Sequence, residues 1–410
     1  MAAPNTPDAW NALFGELTES FSPGAPIEER ELFAGRLEEL AQLVDAVRQR
    51  GRHAIVFGER GVGKTSLANI LRLILSGLPH TPAYVRVSAT PDDTFASLWR
   101  KVFKRLSYPA GSSSRQIADD YPKELTPDDV QLELSNFSST EIPLVVLDEF
   151  DRIKDKAVTT LVADTIKALS DYSVNVTVVI VGIAENVQEL IVGHESISRS
   201  LMQIRMPRMT MDELARIIHA RYQRSGFSVK DDALWKMTFL SRGLPYYAHL
   251  LGMYAGRSAA QEERLLVSDR DVEHAVKLAL TDIDQAIKER FHSAITTQRK
   301  DTLFFPVLVA CALATTDELG RFQQAAVEEP LSTILGERKK ATTYAFHLNA
   351  MCTPERGPVL ERKGEANNPR YRFADPMMQP YTIMKALSEN LITDETAKIF
   401  ETRRQLNLSI

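Results

Sequence analysis

The chain has 410 residues, too many for one ordinary hydrophobic core, so two or three domains are expected. Its 44% hydrophobic and 25% charged composition is that of a soluble globular protein, and a net charge of −5 gives no global signal for nucleic acid or an anionic membrane. Two cysteines, Cys311 and Cys352, exclude a disulfide framework and fit a reducing cytoplasm. No cysteine–histidine cluster has zinc spacing, no signal peptide is visible at Met1, and no run approaches a membrane span.

Residues 7–21 carry Trp10, Leu13, Phe14, Leu17 and Phe21 at helical spacing, followed by a Pro- and Gly-rich loop. This helix either packs on its own domain or docks a partner. Leu32-Phe33-Ala34-Gly35-Arg36 leads into an amphipathic helix that runs to about Arg50. Ala54-Ile55-Val56-Phe57 is then a short buried strand, and Ser66–Leu75 reads as a helix. Between them Gly58-Glu59-Arg60-Gly61-Val62-Gly63-Lys64-Thr65 fits the P-loop pattern G-x-x-x-x-G-K-[ST] in the strand–loop–helix context that gives the pattern meaning. Its glycines let backbone N–H groups face a polyphosphate, and the helix N-terminus at Ser66 adds positive potential there. Lys64 would reach the β- and γ-phosphates of a nucleotide, and Thr65 would ligate Mg²⁺.

Tyr84–Ser88 reads as an alternating strand, and residues 108–128 as a loop or insertion. Leu144–Leu147 is an apolar strand ending in Asp148 and Glu149. Asp148 suits the Mg²⁺ shell and Glu149 suits polarising the attacking water, because a strand end delivers both acids to the sheet edge where a P-loop lies. Glu149 favours hydrolysis over a degenerate site that only binds. Val176–Val181 and Met202–Met206 add two more strands. Strands alternating with helices imply a parallel sheet covered on both faces.

From Thr210 to about Arg290 the pattern is helical throughout, with capping signals at Thr210–Glu213 and Ser268–Asp271. Beyond it, a helix from Leu303, a helix or helix pair from Phe322 to about Leu335, a third helix over Lys339–Met351 and strands at Pro358–Arg362 and Arg370–Phe373 follow the order of a winged helix. Residues 336–372 hold eight Lys/Arg against four Asp/Glu, which suits a basic recognition helix and wing contacting duplex DNA phosphates. The expected domains are an N-terminal helix and linker (1–30), a P-loop ATPase domain (31–207), a helical lid (208–295), a winged helix (296–390) and a tail (391–410).

Together the P-loop, Leu147-Asp148-Glu149-Phe150-Asp151, the early Phe33-Ala34-Gly35-Arg36, the helical lid and the terminal winged helix resemble AAA+ ATPases. Within that superfamily the chain is similar to archaeal origin-recognition ATPases and to STAND signalling ATPases, over roughly residues 30–390. The resemblance implies that Phe33, Gly35 and Arg36 lie beside adenine. It also implies that a polar residue after the fourth strand, Asn186 with Glu185 as rival, senses the γ-phosphate. An arginine finger is expected from a neighbouring subunit: Arg199, with Arg205 and Arg208 as alternatives. Such lids usually carry Gly-x-Pro-Arg, but here Gly243-Leu244-Pro245 is followed by Tyr246, as in STAND ATPases. Pro245 would then read nucleotide state by packing, which implies slow turnover. Two functions stay open. One is a DNA-associated ATPase that assembles as an ATP-dependent homo-oligomer. The other is a STAND-like switch in a hetero-complex with an effector protein, which fits the lid.

Overall fold

The computed structural model describes residues 6–23, 35–76, 82–106, 117–121, 124–137, 142–191, 197–297, 302–317, 319–364 and 368–408. They form two compact units. One spans residues 25–207; the other comprises residues 208–410 together with the N-terminal helix. In chain order the elements begin with α1 (Pro7–Ser20), α2 (Leu37–Arg48), β1 (His53–Gly58), α3 (Lys64–Ser76), β2 (Ala83–Ser88), α4 (Phe95–Phe103) and α5 (Pro127–Ser135). They continue with β3 (Pro143–Asp148), α6 (Lys156–Asp171), β4 (Thr177–Ile183), α7 (Val187–Leu190) and β5 (Leu201–Arg205).

These five strands make a parallel sheet in the order β2-β3-β4-β1-β5. β1 and β3 are buried along their whole length, as continuous Val/Ile/Leu runs demand when helices cover both faces. Buried His53 starts β1, its Nδ1 accepting the Val178 N–H at 3.0 Å, and burial holds its pKa down at about 4, so it stays neutral and ties β1 to β4. The region around residues 108–128, expected to be a loop, contributes Ile117, Ala118 and Leu125 to the core, while α5 begins within it behind a Thr126–Asp129 capping box. The hydrophobic residues outweigh the turn-rich composition there. Residues 107–116 and 122–123 lie outside the described set.

The second unit continues with α8 (Met211–Arg224), β6 (Ser228–Val229), α9 (Asp231–Ser241), α10 (Pro245–Gln261), β7 (Leu266–Val267), α11 (Asp269–Asp282) and α12 (Gln285–Ile295). Both predicted capping boxes form, Thr210 with Glu213 and Ser268 with Asp271. The stretch is not wholly helical, because β6 and β7 pair in parallel. Helix α1 packs on this unit by its apolar face. Gly252 and Gly256 make a notch on α10: a Cβ at Gly252 would lie 2.4 Å from the Phe21 ring, and one at Gly256 would lie 2.9 Å from Leu17. Phe21 meets Tyr222 edge-on at 5.0 Å. Docking a partner through that face is therefore corrected: Leu17 and Phe21 are already covered.

The chain ends with α13 (Phe304–Leu313), β8 (Phe322–Gln323), α14 (Glu328–Leu335), α15 (Ala341–Ala350), β9 (Leu360–Lys363), β10 (Arg370–Phe373), α16 (Met378–Ser388) and α17 (Asp394–Leu408). Phe322, expected to start a helix, instead lies in a strand. Its ring stacks on Tyr371 at 6.1 Å, and β8 joins β10 and β9 in an antiparallel sheet. The recognition-helix expectation is also corrected. α15 carries no Lys or Arg, and the cations at 338–340 precede it, with Arg338 paired to Glu328 and Lys339 to Glu337. Lys236 sits among Asp394 (2.7 Å), Asp269 (3.1 Å) and Glu273 (3.9 Å), so an ammonium already fills that acidic cluster. No helix among the described residues is long and apolar enough to cross a membrane.

Candidate active site

β1 ends at Gly58 because the end of β5 approaches it there: a Cβ on Gly58 would lie 2.4 Å from the Met206 carbonyl oxygen. Gly61 and Gly63 adopt φ of 84° and 94°, which L side chains rarely adopt, so the backbone of Glu59–Gly63 curls into a cradle of N–H groups. Lys64 opens α3 and is buried. Its Nζ donates to the carbonyls of Gly58 (3.0 Å) and Glu59 (2.7 Å). Burial holds its pKa at about 8, against the opposing pull of Asp151, Asp148 and Glu59.

Thr65 Oγ1 donates to Asp148 Oδ2 at 3.2 Å, which joins the P-loop helix to the end of β3. Asp148 is 2% exposed. Its Oδ1 accepts the Glu149 N–H at 2.9 Å, and its Oδ2 is also paired with Arg86 of β2. Glu149 turns at φ 54°, ψ 35°, a left-handed conformation that costs a non-glycine residue roughly 1–2 kcal/mol. This places its carboxylate in an exposed pair with Arg152 at 2.9 Å. Asp151 Oδ1 accepts the Ile183 N–H at 2.7 Å, and Gly182 leaves room for it, since a Cβ there would sit 3.2 Å from the same oxygen.

The P-loop, Thr65, Asp148 and Glu149 thus meet at one edge of the sheet, as their positions in the sequence lead one to expect. A hydroxyl and a carboxylate side by side are hard oxygen donors, and with the buried amine and the glycine cradle they fit a magnesium-bound polyphosphate.

The other named residues lie as follows. Gly35 and Arg36 both have positive φ. Arg36 is buried, donating to Glu39 at 2.9 Å and to the Pro207 carbonyl. Phe33 lies outside the described residues. Asn186 caps α7 with its Oδ1 on the Glu189 N–H at 3.1 Å, and the Glu185 N–H meets the Glu189 carboxylate. Arg199 is exposed in the turn before β5. Arg205 ends β5. Arg208 and Pro245 belong to the second unit. Arg208 donates to Gln379 and to the Arg242 carbonyl, and Pro245 starts α10. Gly243, at φ 80°, fits tightly under Arg208, where a Cβ would lie 2.6 Å away. Arg242, the lid cation nearest the missing arginine, is buried against Glu401 at 3.3 Å.

Sequence reasoning missed Arg86, Asn69 and Arg152. For Arg86 a signal existed, a lone cation within the otherwise alternating β2, but its meaning needs the strand order.

A family model described as an AAA domain matches residues 47–191. No curated protein sequence matches the chain. Among solved structures, the Aeropyrum pernix ORC1 protein in complex with DNA aligns at 15% identity over 91% of this chain and 97% of that one, with a TM-score of 0.50. The Walker-type ATPase paby2304 of Pyrococcus abyssi aligns at 17% identity over 89% and 99%, with a TM-score of 0.51. Cdc6p from Pyrobaculum aerophilum aligns at 16% over 92% and 99%, with a TM-score of 0.47. At these identities the likeness is one of fold, and it agrees with the P-loop geometry. Residues 47–191 are an AAA domain carrying the P-loop, and the chain resembles the A. pernix ORC1 protein in fold.

Proposed function

We propose that this ATPase couples its nucleotide state to oligomerisation and to binding of duplex DNA through a C-terminal winged helix formed by α13–α15 and β8–β10, in the cytoplasm. In the ATPase unit, Lys64 and the 58–63 backbone hold the β- and γ-phosphates and Phe33, Gly35 and Arg36 lie beside the adenine, while Pro245 of the second unit reads nucleotide state by packing. Thr65 and Asp148 hold Mg²⁺. When bound, that ion supplies charge neutralisation on the phosphates and orientation for in-line attack. Glu149 accepts a hydrogen bond from the attacking water and takes its proton. Asn186 or Glu185 senses the γ-phosphate, and Arg199 of a neighbouring copy meets the developing charge.

The observation that carries the DNA reading is a cleft at the turn of the β9–β10 hairpin, lined by Arg321, Lys363, Gly364, Asn368 and Arg370. Burial first, then the neighbouring Arg372 and Arg370, lower the pKa of Arg321 from its ordinary range, while Arg370 is itself paired with Asp317 at 2.8 Å. Such a cleft suits a backbone phosphate. The solved A. pernix ORC1 protein is in complex with DNA, which supports the same reading. The test is fluorescence anisotropy of labelled duplex with ATP or ADP at low and moderate salt. Binding should weaken steeply with salt, and Lys363→Ala with Arg370→Ala should flatten that slope by about two phosphates. Binding that ignores salt and both substitutions sinks the DNA reading.

A second reading, a STAND-like switch on an effector protein, is favoured by one specific observation. α15 presents Phe346, 69% exposed, with no cation beside it on the helix. Salt-insensitive capture of a protein, lost in Phe346→Ala, would support it.

A further inference from the structure

Arg86 stands on β2 among alternating residues, and the β2–β3 register sets Ser88 opposite Asp148 and Arg86 opposite Val146. Arg86 and Ser88 point to the same face, so the long arginine side chain reaches the carboxylate diagonally. Its Nε and Nη2 lie 3.0 and 2.7 Å from Asp148 Oδ2, the oxygen that also accepts the Thr65 hydroxyl. Its Nη1 donates to Asn69 Oδ1 at 2.9 Å, one turn beyond Thr65 on α3. The guanidinium is therefore fixed from two sides, by the acid of the sheet edge and by the P-loop helix.

Asp148 Oδ2 is crowded, while Oδ1 keeps a lone pair that a cation could use. Oδ1 serves the Glu149 N–H, and Oδ2 serves Thr65 and two guanidinium nitrogens. The acid that suits a divalent cation thus already holds a monovalent one, fixed in place and permanently charged. A second cation at this carboxylate must share the acid with Arg86 and meets its repulsion at short range, inside a site where charges are poorly screened.

We propose that Arg86 is a positioning residue that sets the magnesium dependence of this site. It holds Asp148 as an ion pair and weakens the coupling between nucleotide binding and Mg²⁺. The inference rests on the ATP reading above. A purely structural clamp between β3 and α3 would change stability and shift nucleotide affinity equally with and without the metal. The proposed role instead changes the ratio of the two affinities.

The experiment measures ATP affinity of the full chain by calorimetry, once in EDTA and once in excess Mg²⁺, for wild type, Arg86→Gln and Arg86→Lys. The ratio of the two dissociation constants should rise about tenfold in Arg86→Gln, through tighter binding in Mg²⁺, and stay within about threefold of wild type in Arg86→Lys, which keeps the charge. An unchanged or lower ratio in Arg86→Gln overturns the proposal. If that variant shows no cooperative melting transition, Asn69→Ser decides: it frees one side of the guanidinium and should raise the ratio about threefold, and an unchanged ratio overturns the proposal. Wild type that binds no ATP in either condition sinks the nucleotide reading and this one with it. Binding with an unmoved ratio sinks the Arg86 assignment alone.

Discussion

Lys64 titrates inside the pH range where the protein can be handled, and that makes its role measurable. Burial lowers its pKa from the ordinary 10.5 to about 8, with Asp151, Asp148 and Glu59 pulling the other way. The sign follows from the direction. A base with a depressed pKa is charged below that value and neutral above it, so the free protein carries mostly neutral Lys64 at pH 9. Keeping the ammonium buried below pH 8 costs about 3 kcal/mol relative to the unfolded chain, and this cost disappears as pH rises from about 8 to 10.5. A polyphosphate on the glycine cradle reverses the balance, because the ammonium then has an anion to pair with. Binding must therefore take up a proton, about half an equivalent at pH 8, and apparent affinity should fall about tenfold between pH 7 and pH 9, or about 1.4 kcal/mol. Calorimetric titration with ATP in two buffers of different ionisation enthalpy gives the proton count directly, and repeating it at the three pH values gives the affinity slope. Lys64→Met should bind weakly and without pH dependence in this window. A proton count near zero at pH 8, or an affinity flat from pH 7 to 9, would refute both the depressed amine and its place under the phosphates.

Three further outcomes are expected. Glu149→Gln should retain ATP while phosphate release falls by about 10²-fold or more, read by filter binding beside a phosphate assay; undiminished turnover would remove Glu149 from the chemistry. Arg199→Ala should lower turnover and recover part of it when mixed with Glu149→Gln subunits, since each would supply what the other lacks; absence of recovery at every mixing ratio counts against a finger acting between copies. Gly252→Ala should destabilise the second unit by about 1–3 kcal/mol, since its Cβ would sit 2.4 Å from the Phe21 ring, and Phe21→Leu should restore part of the loss in the same thermal melt. Equal melting of Gly252→Ala and wild type would show that α1 does not need the notch.

What the sequence discloses here is what is local. The P-loop lies in eight consecutive residues, the capping boxes in four, and Asp148–Glu149 at the end of one apolar run, so each is legible without knowing what stands beside it. Arg86 was not legible, because its partner is set by β2 lying next to β3, a pairing between strands separated by more than fifty residues. β8 was missed because two residues are too few to show alternation; only the Phe322–Tyr371 stack and the pairing with β10 reveal it. The apolar face of α1 announced burial without naming the surface, since the notch that receives it is made of what Gly252 and Gly256 lack.

The lid shows the same limit from the other side. Its Gly243-Leu244-Pro245-Tyr246 could be read as a missing arginine, yet Arg242 is present one residue earlier, in the left-handed conformation at φ 48°. That turn sends the guanidinium inward to Glu401 of α17, with both partners almost fully buried. Removing one member of a buried pair leaves the other charge uncompensated, at a cost of about 3–5 kcal/mol. The cation at this position therefore cannot leave Glu401 cheaply to serve a phosphate. A segment built this way holds the Arg242 charge for α17, and that physical constraint, more than the absent arginine itself, supports the switch proposed above as the second reading.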